Sequence, residues 1–228
     1  MSDSSAFQEA SFPDRRPLFH YITDRGQLAG ISLIACIRRA LDWGVDFVQI
    51  REKDLPDRKL FELTSRAVAL SRGKKGRILV NGRADIALAA GAHGVHLPSM
   101  GLRISEIRTW IPGGFVVGVS VHTEPEIRDA SALGADYVLL GHVFPTESKR
   151  NSGPGLGLGF LQKACSKTSI PVLALGGMQP DSISPVLKAG AAGVAGISLF
   201  QKKSEFNKLK KTVASRTSHV SRPLSPSF

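Results

Sequence analysis

The sequence predicts a single (β/α)8 TIM barrel of the α/β class, and two features of the chain indicate this fold. Eight short apolar or β-branched segments recur, with helix-like stretches between them. The segments are almost continuously apolar, which is typical of parallel strands covered on the outside of the sheet. A doubly wound open sheet is the alternative, because strands are hard to count from one sequence. The predicted strands cover residues 18–23, 46–50, 77–81, 94–97, 115–120, 136–141, 171–176 and 193–198.

The connections between these segments carry helix signals. Residues 57–72 place apolar side chains at helical spacing before Gly73, and residues 124–133 end at Gly134 in the same way. Gly-Ala corners then lead into several strands, as at 134–137, which is typical of close helix-to-strand packing. The alternation of strand and helix is therefore expected to run through the whole domain.

The composition indicates one domain with tails. The chain has 228 residues, 42% of them hydrophobic, which suits one large core better than two small ones. We expect the barrel to occupy residues 17–201 and residues 1–16 to form a disordered extension. Residues 202–228 hold seven Lys and Arg and one acid, Glu205, so they carry six of the eleven net positive charges. We expect a basic helix end there, followed by a disordered tail.

Several function classes are disfavoured by the same composition. No apolar run approaches the roughly 20 residues of a membrane span, and the first residues lack the apolar segment of a signal peptide. Cys36 and Cys165 have no metal-ligand spacing, which favours core thiols in a reducing compartment. We therefore expect a cytoplasmic protein without a membrane partner. The basic tail lacks an aromatic platform, so nucleic-acid binding is not expected.

Polar side chains collect where a barrel has its open mouth, at the carboxyl ends of the strands. Read with period two, Gln49, Arg51 and Lys53 share one face of the second strand. Cations at the end of a core strand need water, a carboxylate or an anionic ligand. A strand end that simply reaches water is the alternative. Further candidates for substrate binding are Asn81, Ser120, His142, Thr146 and Lys149, and for Thr146 and Lys149 a solvated turn is the alternative.

The histidines at the mouth need separate interpretation. His96 ends an apolar strand, which favours a packed, hydrogen-bonded residue over a catalytic base. His142 follows the sixth strand, where a substrate contact and a structural hydrogen bond are equally compatible with its position.

The last two loops indicate a phosphate site, because backbone N–H groups after strands seven and eight commonly bind phosphate in this fold. The candidates are Gly176, Gly177, Ile197 and Ser198.

The ordered motifs resemble thiamine phosphate synthase and its relative TenI, the thiazole tautomerase. The resemblance covers roughly residues 18–201 and leaves the tails out. It implies a homodimer and a small phosphorylated thiazole as ligand. The matching stretches are YITD (21–24), FVQIREKD (47–54), ILVNGR (78–83), GVHLP (94–98), GVSVHT (118–123), ADYVLLGHVFPTESK (135–149), PVLALGGM (171–178) and AGVAGISLF (192–200).

The synthase branch of this resemblance depends on a metal. It joins a pyrimidine diphosphate to a thiazole phosphate, and its pattern places Mg²⁺-binding aspartates after strands three and four. Here those positions are Gly82 and Gly101, which have no side chain to offer the metal. Diphosphate departure without that charge neutralisation is expected to be slow. Whether Asp24, Glu52 or Glu147 supplies a carboxylate instead stays open.

The tautomerase branch requires no metal, because it only moves a proton to make a thiazole ring aromatic. The stretches at 96–102 and 120–122 resemble TenI, and His122 matches its acid/base residue. Histidine has a pKa suited to this transfer. Lys53, with Arg51, would stabilise the developing negative charge. We therefore expect a tautomerase without a cofactor. The alternatives are the Mg²⁺-dependent synthase and a non-catalytic, regulatory binder of thiazole or thiamine phosphate.

Overall fold

The computed structural model describes residues 17–28, 30–146 and 153–220, with side chains as far as residue 214. Eight parallel strands pair in chain order, and the last pairs with the first to close a barrel. This confirms the predicted (β/α)8 architecture. The strands are β1 Leu18–Ile22, β2 Phe47–Ile50, β3 Arg77–Asn81, β4 Gly94–Leu97, β5 Val116–Val121, β6 Tyr137–Gly141, β7 Val172–Leu175 and β8 Gly193–Gly196.

Helices follow the strands around the outside. The described residues also include the short 3-10 turns Arg25–Gln27 and Pro180–Ser182. The helices are α1 Leu33–Trp43, α2 Asp57–Ser71, α3 Ala84–Ala89, α4 Ile104–Arg108, α5 Glu124–Ala132, α6 Gly157–Cys165, α7 Ile183–Lys188, α8 Ser198–Gln201 and α9 Lys203–Val220.

Side chains alternate between two cores, as the pleat of a strand requires. On β2, Phe47 belongs to the core inside the barrel, while Val48 and Ile50 pack outward against the helices. Gly118 on β5 leaves room inside for Tyr137 of β6, because an added Cβ would lie 2.0 Å from the Cζ atom of that ring. The barrel interior is therefore filled, and chemistry is expected at its carboxyl-end mouth.

The chain packs against the barrel beyond residue 201, where the sequence analysis ended the domain. Phe206 and Leu209 of α9 are buried at helical spacing. The Phe206 ring lies 5.4 Å from Trp43 and 5.1 Å from the Arg39 guanidinium, measured to the ring centroid. The helix thus extends into the segment expected to be a disordered tail. Residues 1–16 and 221–228, also expected to be disordered, lie outside the described residues.

Two further expectations can be compared with the structure. Cys36 is buried and Cys165 half-buried, and burial raises the pKa of both thiols, that of Cys165 to about 11. Such thiols are protonated at neutral pH and suit the interpretation as core residues. Within the part of the chain that the structure describes, no helix is both long and apolar enough to cross a membrane.

Candidate active site

Gln49 lies at the bottom of the barrel mouth and is almost fully buried, with 1% of its surface exposed. Its amide nitrogen donates to Oδ1 of Asn81 at 2.9 Å, and its Oε1 lies 3.1 Å from Nε2 of His20. Both hydrogen-bonding ends of the amide are thus engaged by protein groups. In the structure Gln49 therefore holds Asn81 in place from below. Its expected direct contact with substrate stays a prediction.

Arg51 and Lys53 follow the second strand, because β2 ends at Ile50. The period-two extrapolation beyond that point was wrong: Lys53 lies exposed in a turn. Arg51 is half-buried; the pKa of His96 is lowered mainly by burial, with smaller contributions from the positive charges of His20 and Arg51. The backbone N–H of Arg51 donates to Thr23 Oγ1 at 2.9 Å, which fixes the start of the turn.

Glu52 holds this turn to the loop after β1, a role that the sequence analysis missed. Its buried carboxylate accepts the Thr23 hydroxyl at 2.6 Å and the Arg25 backbone N–H at 3.1 Å. The Arg25 guanidinium contacts the same carboxylate at 3.3 Å and also pairs with Asp54. Glu52 is therefore an anchor for the residues that flank Arg51. Its partners Thr23 and Arg25 lie 29 and 27 positions away, so the neighbouring residues give no signal of this role.

Gln201, at the end of α8, was also missed. Its Oε1 accepts the Tyr21 hydroxyl at 3.0 Å and the Asp24 backbone N–H at 2.8 Å, while its amide nitrogen donates to the Asp24 carbonyl at 2.9 Å. This side chain ties the predicted phosphate helix to the loop after β1. Nothing in the local sequence distinguishes it from a surface glutamine, since its partners lie 177 and 180 positions away.

His96 spans the interior between two strands and is 1% exposed. Its Nδ1 lies 3.0 Å from the Tyr137 hydroxyl and its Nε2 lies 2.9 Å from Ser120 Oγ. Burial lowers its pKa well below the usual value, and the nearby His20 and Arg51 add to the effect. His96 is thus a neutral, hydrogen-bonded core residue, as its position in the sequence indicated. Ser120, a predicted substrate contact, is half-buried and lies at the Nε2 end of the His96 ring.

His122 stands at the junction of β5 and α5. Its ring Nδ1 is hydrogen-bonded to the Gly141 carbonyl, which can only accept, so Nδ1 carries a proton. Its backbone N–H donates to the Glu126 carboxylate at 2.5 Å. Glu126 and Thr123 form a capping box at the start of α5, which fixes the backbone on which His122 is carried. Nε2 is therefore the ring nitrogen that can exchange a proton with a ligand.

The loop after β6 is only partly described. His142 is buried, and its Nε2 lies 3.3 Å from the Gly153 carbonyl, so the structure gives it a structural hydrogen bond. Its expected contact with substrate stays a prediction. Thr146 is half-buried at the end of the described segment. Lys149, the remaining residue expected to bind substrate, lies outside the described residues.

The predicted phosphate site has the backbone that such a site requires. Gly176 and Gly177 have φ angles of +93° and +64°, which other residues rarely adopt. An added Cβ would lie 2.3 Å from the Cβ of His142 at Gly176 and 2.6 Å from the Pro145 carbonyl at Gly177. Ile197 precedes α8, which begins at Ser198, so the first N–H groups of that helix have no intrahelical acceptor. Phosphate binding there stays a prediction.

The residues present do not fit the Mg²⁺ site of the synthase pattern. Gly82 and Gly101, which replace its aspartates, both face Pro98: an added Cβ would lie 3.6 Å from the proline ring at Gly82 and 3.0 Å from it at Gly101. The Glu52 carboxylate is already engaged as described above. Asp24 accepts the Gly26 backbone N–H and the Gln27 amide. Among the described residues, no group of three or more His, Cys, Asp or Glu is arranged to hold a metal ion, and Glu147 lies outside them.

Comparisons with known proteins agree on the family. A family profile described as "Thiamine monophosphate synthase" matches residues 19–200. A Geobacter sulfurreducens protein named "Putative thiamine-phosphate synthase" is 45% identical over 78% of this chain and 84% of its own length. A Methanoculleus marisnigri protein named "Thiamine-phosphate synthase" is 38% identical over 78% and 85%. The solved thiamine phosphate pyrophosphorylase from Pyrococcus furiosus is 32% identical, with a TM-score of 0.77, over 87% of this chain and 96% of that one.

The names of these relatives match the synthase alternative better than the tautomerase expectation. The family resemblance stated from the motifs is confirmed, and so is its extent along the chain, since the matched residues 19–200 nearly coincide with 18–201. This chain belongs to the thiamine monophosphate synthase family and is an enzyme of thiamine biosynthesis.

Proposed function

We propose that this chain is a thiazole tautomerase, an isomerase that makes a thiazole carboxylate phosphate aromatic without a metal ion. The observation that carries the proposal is the pair Gly82 and Gly101, which face Pro98 where the synthase pattern has Mg²⁺-binding carboxylates. Mg²⁺ requires hard oxygen ligands, commonly one or two carboxylates in addition to substrate phosphates. A reaction that only moves a proton has no such requirement.

The proposed proton carrier is Nε2 of His122. Because Nδ1–H is held by the Gly141 carbonyl, the neutral ring presents Nε2 as its base. Nε2 would take a proton from the ring carbon while the double bond shifts, would exchange it with water, and would then deliver a proton to the exocyclic carbon. The Nδ1 hydrogen bond keeps the ring in one orientation for both transfers. The aromatic product supplies the driving force.

The positive residues after β2 would stabilise the negative charge that develops between the two transfers. Arg51 directly follows β2, and Lys53 lies in the turn beyond it. A fixed cation next to a delocalised anion lowers the barrier without taking part in bond making. The phosphate of the substrate would be held by backbone N–H groups near Gly177, Ile197 and Ser198.

The second candidate is the synthase itself, a transferase, and the names of the relatives favour it. It would join hydroxymethylpyrimidine diphosphate to thiazole phosphate. Under this candidate a metal ion has to be held by substrate phosphates and by groups other than side chains at Gly82 and Gly101. A third candidate, a non-catalytic binder of thiazole or thiamine phosphate, predicts ligand binding without turnover.

Two assays on the purified full chain separate these candidates. The first follows aromatisation of the thiazole carboxylate phosphate in the presence of EDTA, and the second follows pyrophosphate release from the two synthase substrates with Mg²⁺. Acceleration only in the first supports the tautomerase. Pyrophosphate release that EDTA abolishes, with no aromatisation, would establish the synthase and refute the proposal. Ligand binding with neither activity would identify the binder.

A further inference from the structure

Two chains of hydrogen bonds run from the barrel interior to its mouth, and the catalytic proposal uses neither interior histidine. The first chain joins His20, Gln49 and Asn81 on β1, β2 and β3. The second joins Tyr137 to His96, and His96 to Ser120. The two histidine rings meet edge to face, with centroids 6.0 Å apart. Each chain thus has a fully buried histidine in it and a predicted substrate contact at its end.

The direction of the first chain follows from an unpartnered nitrogen. His20 is 0% exposed, and its Nδ1 has no hydrogen-bond partner among the described residues. A buried N–H without a partner is more costly than an unpartnered acceptor, so the proton belongs on Nε2. Nε2–H then donates to Gln49 Oε1, and the Gln49 amide donates to Asn81 Oδ1. Asn81 is left with its NH₂ group to offer a ligand.

The direction of the second chain follows from the buried tyrosine. Tyr137 is 0% exposed, and its hydroxyl requires an acceptor for its hydrogen, which Nδ1 of His96 provides at 3.0 Å. The His96 proton therefore sits on Nε2 and is donated to Ser120 Oγ at 2.9 Å. The Ser120 hydroxyl hydrogen is then left to be offered to a ligand. Burial keeps both histidines neutral, and it lowers the pKa of His20 to about 3.

We propose that His20 and His96 are positioning residues that set Asn81 and Ser120 as hydrogen-bond donors to the carboxylate of the ligand. Two donors set in this way select a group that only accepts hydrogen bonds, which describes an ionised carboxylate. The identification of the carboxylate rests on the proposed function. The assignment of the two donors rests on the geometry of the chains alone.

The position of Asn81 around the barrel agrees with this assignment. In a closed barrel of eight strands in chain order, β3 lies four strands from β7 and therefore opposite it. The predicted phosphate site follows β7 and β8. A ligand whose phosphate lies there would extend the other side of its ring towards β3, where Asn81 ends the strand. The group met by Asn81 would thus be the anionic group of the ligand other than its phosphate.

The first test is ¹⁵N NMR of the full chain labelled at its six histidines, because the two neutral tautomers have different nitrogen shifts. Signals are assigned with His20→Gln and His96→Gln. We expect His20 and His96 to be neutral with the proton on Nε2, and His122 to carry its proton on Nδ1. In Tyr137→Phe, we expect His96 to lose its single tautomer. A proton on Nδ1 of either interior histidine would overturn the proposal.

The second test measures equilibrium binding of two ligands, the aromatic thiazole carboxylate phosphate and the same thiazole phosphate without the carboxylate. We expect the wild type to prefer the carboxylate by about tenfold or more, the effect of a hydrogen bond to a charged group. His20→Leu, which cannot donate to Gln49, should lose most of this preference. His20→Gln keeps an N–H near the position of Nε2 and should retain it.

The matched control is His93→Asn, outside both chains. His93 is half-buried and its Nδ1 accepts the Ile78 backbone N–H at 3.0 Å, a role that the asparagine oxygen can take over. This variant should keep the full ligand preference. Thermal melts establish that each variant is folded before binding is compared.

The outcomes separate this inference from the proposed function. Equal affinity of the wild type for both ligands, or an unchanged preference in His20→Leu, would overturn the inference even if aromatisation is accelerated. If His20→Leu loses the preference for the carboxylate ligand, the assignment of the hydrogen-bond donors is supported even if the chain fails to catalyse aromatisation. Inorganic pyrophosphate is the third probe. If His20→Leu weakens only pyrophosphate binding, the donors serve a diphosphate and the assignment to a carboxylate is wrong.

Discussion

Glu52→Gln is the change that most directly tests how the fold holds the site. The substitution keeps the size of the side chain but removes its charge and replaces one acceptor oxygen by an NH₂ group. In the wild type, one carboxylate accepts the Thr23 hydroxyl at 2.6 Å, the Arg25 backbone N–H at 3.1 Å and the Arg25 guanidinium at 3.3 Å. Glutamine can satisfy one of these donors and sets its own N–H groups against the others.

The expected loss follows from these contacts. Hydrogen bonds to a charged group contribute about 1.5–3 kcal/mol each, and a buried donor left unpaired costs about 1–3 kcal/mol. The guanidinium contact counts for less, because the Arg25 side chain is 37% exposed and water screens it. The Thr23 bond can survive with the amide oxygen. We therefore expect the free energy of unfolding to fall by about 2–4 kcal/mol.

The assay is urea unfolding at neutral pH, with Glu62→Gln as control. Glu62 lies on the exposed side of α2 and pairs with Arg58 and Lys59 at the surface, so its replacement should leave the unfolding midpoint unchanged. We also expect Glu52→Gln to lower kcat/KM for aromatisation, since Thr23 fixes the backbone of Arg51. If Glu52→Gln is as stable as Glu62→Gln, the anchoring role assigned to this carboxylate is wrong.

Three further changes test other parts of the account. The unfolded chain binds a proton at His20 below about pH 6.5 and the folded chain only near pH 3, so stability falls as the pH drops through this interval. Between pH 7 and pH 5 the free energy of unfolding of the wild type should fall by ~2 kcal/mol more than that of His20→Leu, as measured by urea unfolding at each pH. An equal fall in the two proteins would contradict this. Gly118→Ala places a Cβ 2.0 Å from the Tyr137 ring and should lower the free energy of unfolding by about 1–3 kcal/mol or more; an unchanged value would show that the interior has room. Lys53→Met should lower kcat/KM about tenfold without changing the melting temperature, and an unchanged rate would remove Lys53 from the catalytic set.

The sequence was a good guide to the strands because each is a short apolar segment between glycine-rich corners. All eight predicted strands overlap observed ones, and β3 and β4 coincide with them in full. The prediction failed just after β2, where the alternation of side chains was extended to Lys53. The strand stops at Ile50, because Thr23 and Glu52 bind the chain into a turn there. Such long-range hydrogen bonds leave no periodic signal.

The candidate site shows the same division between local and long-range information. Ser120 was predicted from the end of the fifth strand and His122 from the family resemblance, and both predictions depend on local sequence motifs. The support of Asn81 by Gln49 and His20 joins residues 32 and 29 positions apart and could not be read from spacing. A histidine inside an apolar strand, as at position 20, is nevertheless a signal that can be searched for. The packing of Phe206 and Leu209 beyond residue 201 was not predicted, because the net charge of that segment obscured these two buried positions.

The central claim is that Nε2 of His122 moves the proton without a metal ion. The most direct measurement follows aromatisation of the thiazole carboxylate phosphate by NMR in D₂O with EDTA, comparing the wild type with His122→Asn. Asparagine can keep the hydrogen bond to the Gly141 carbonyl through its NH₂ group but has no base in place of Nε2. We expect the wild type to accelerate the reaction and to place deuterium at the exocyclic carbon, and His122→Asn to bind ligand without accelerating it. Acceleration by His122→Asn equal to that of the wild type, or a reaction that EDTA abolishes, would contradict the account.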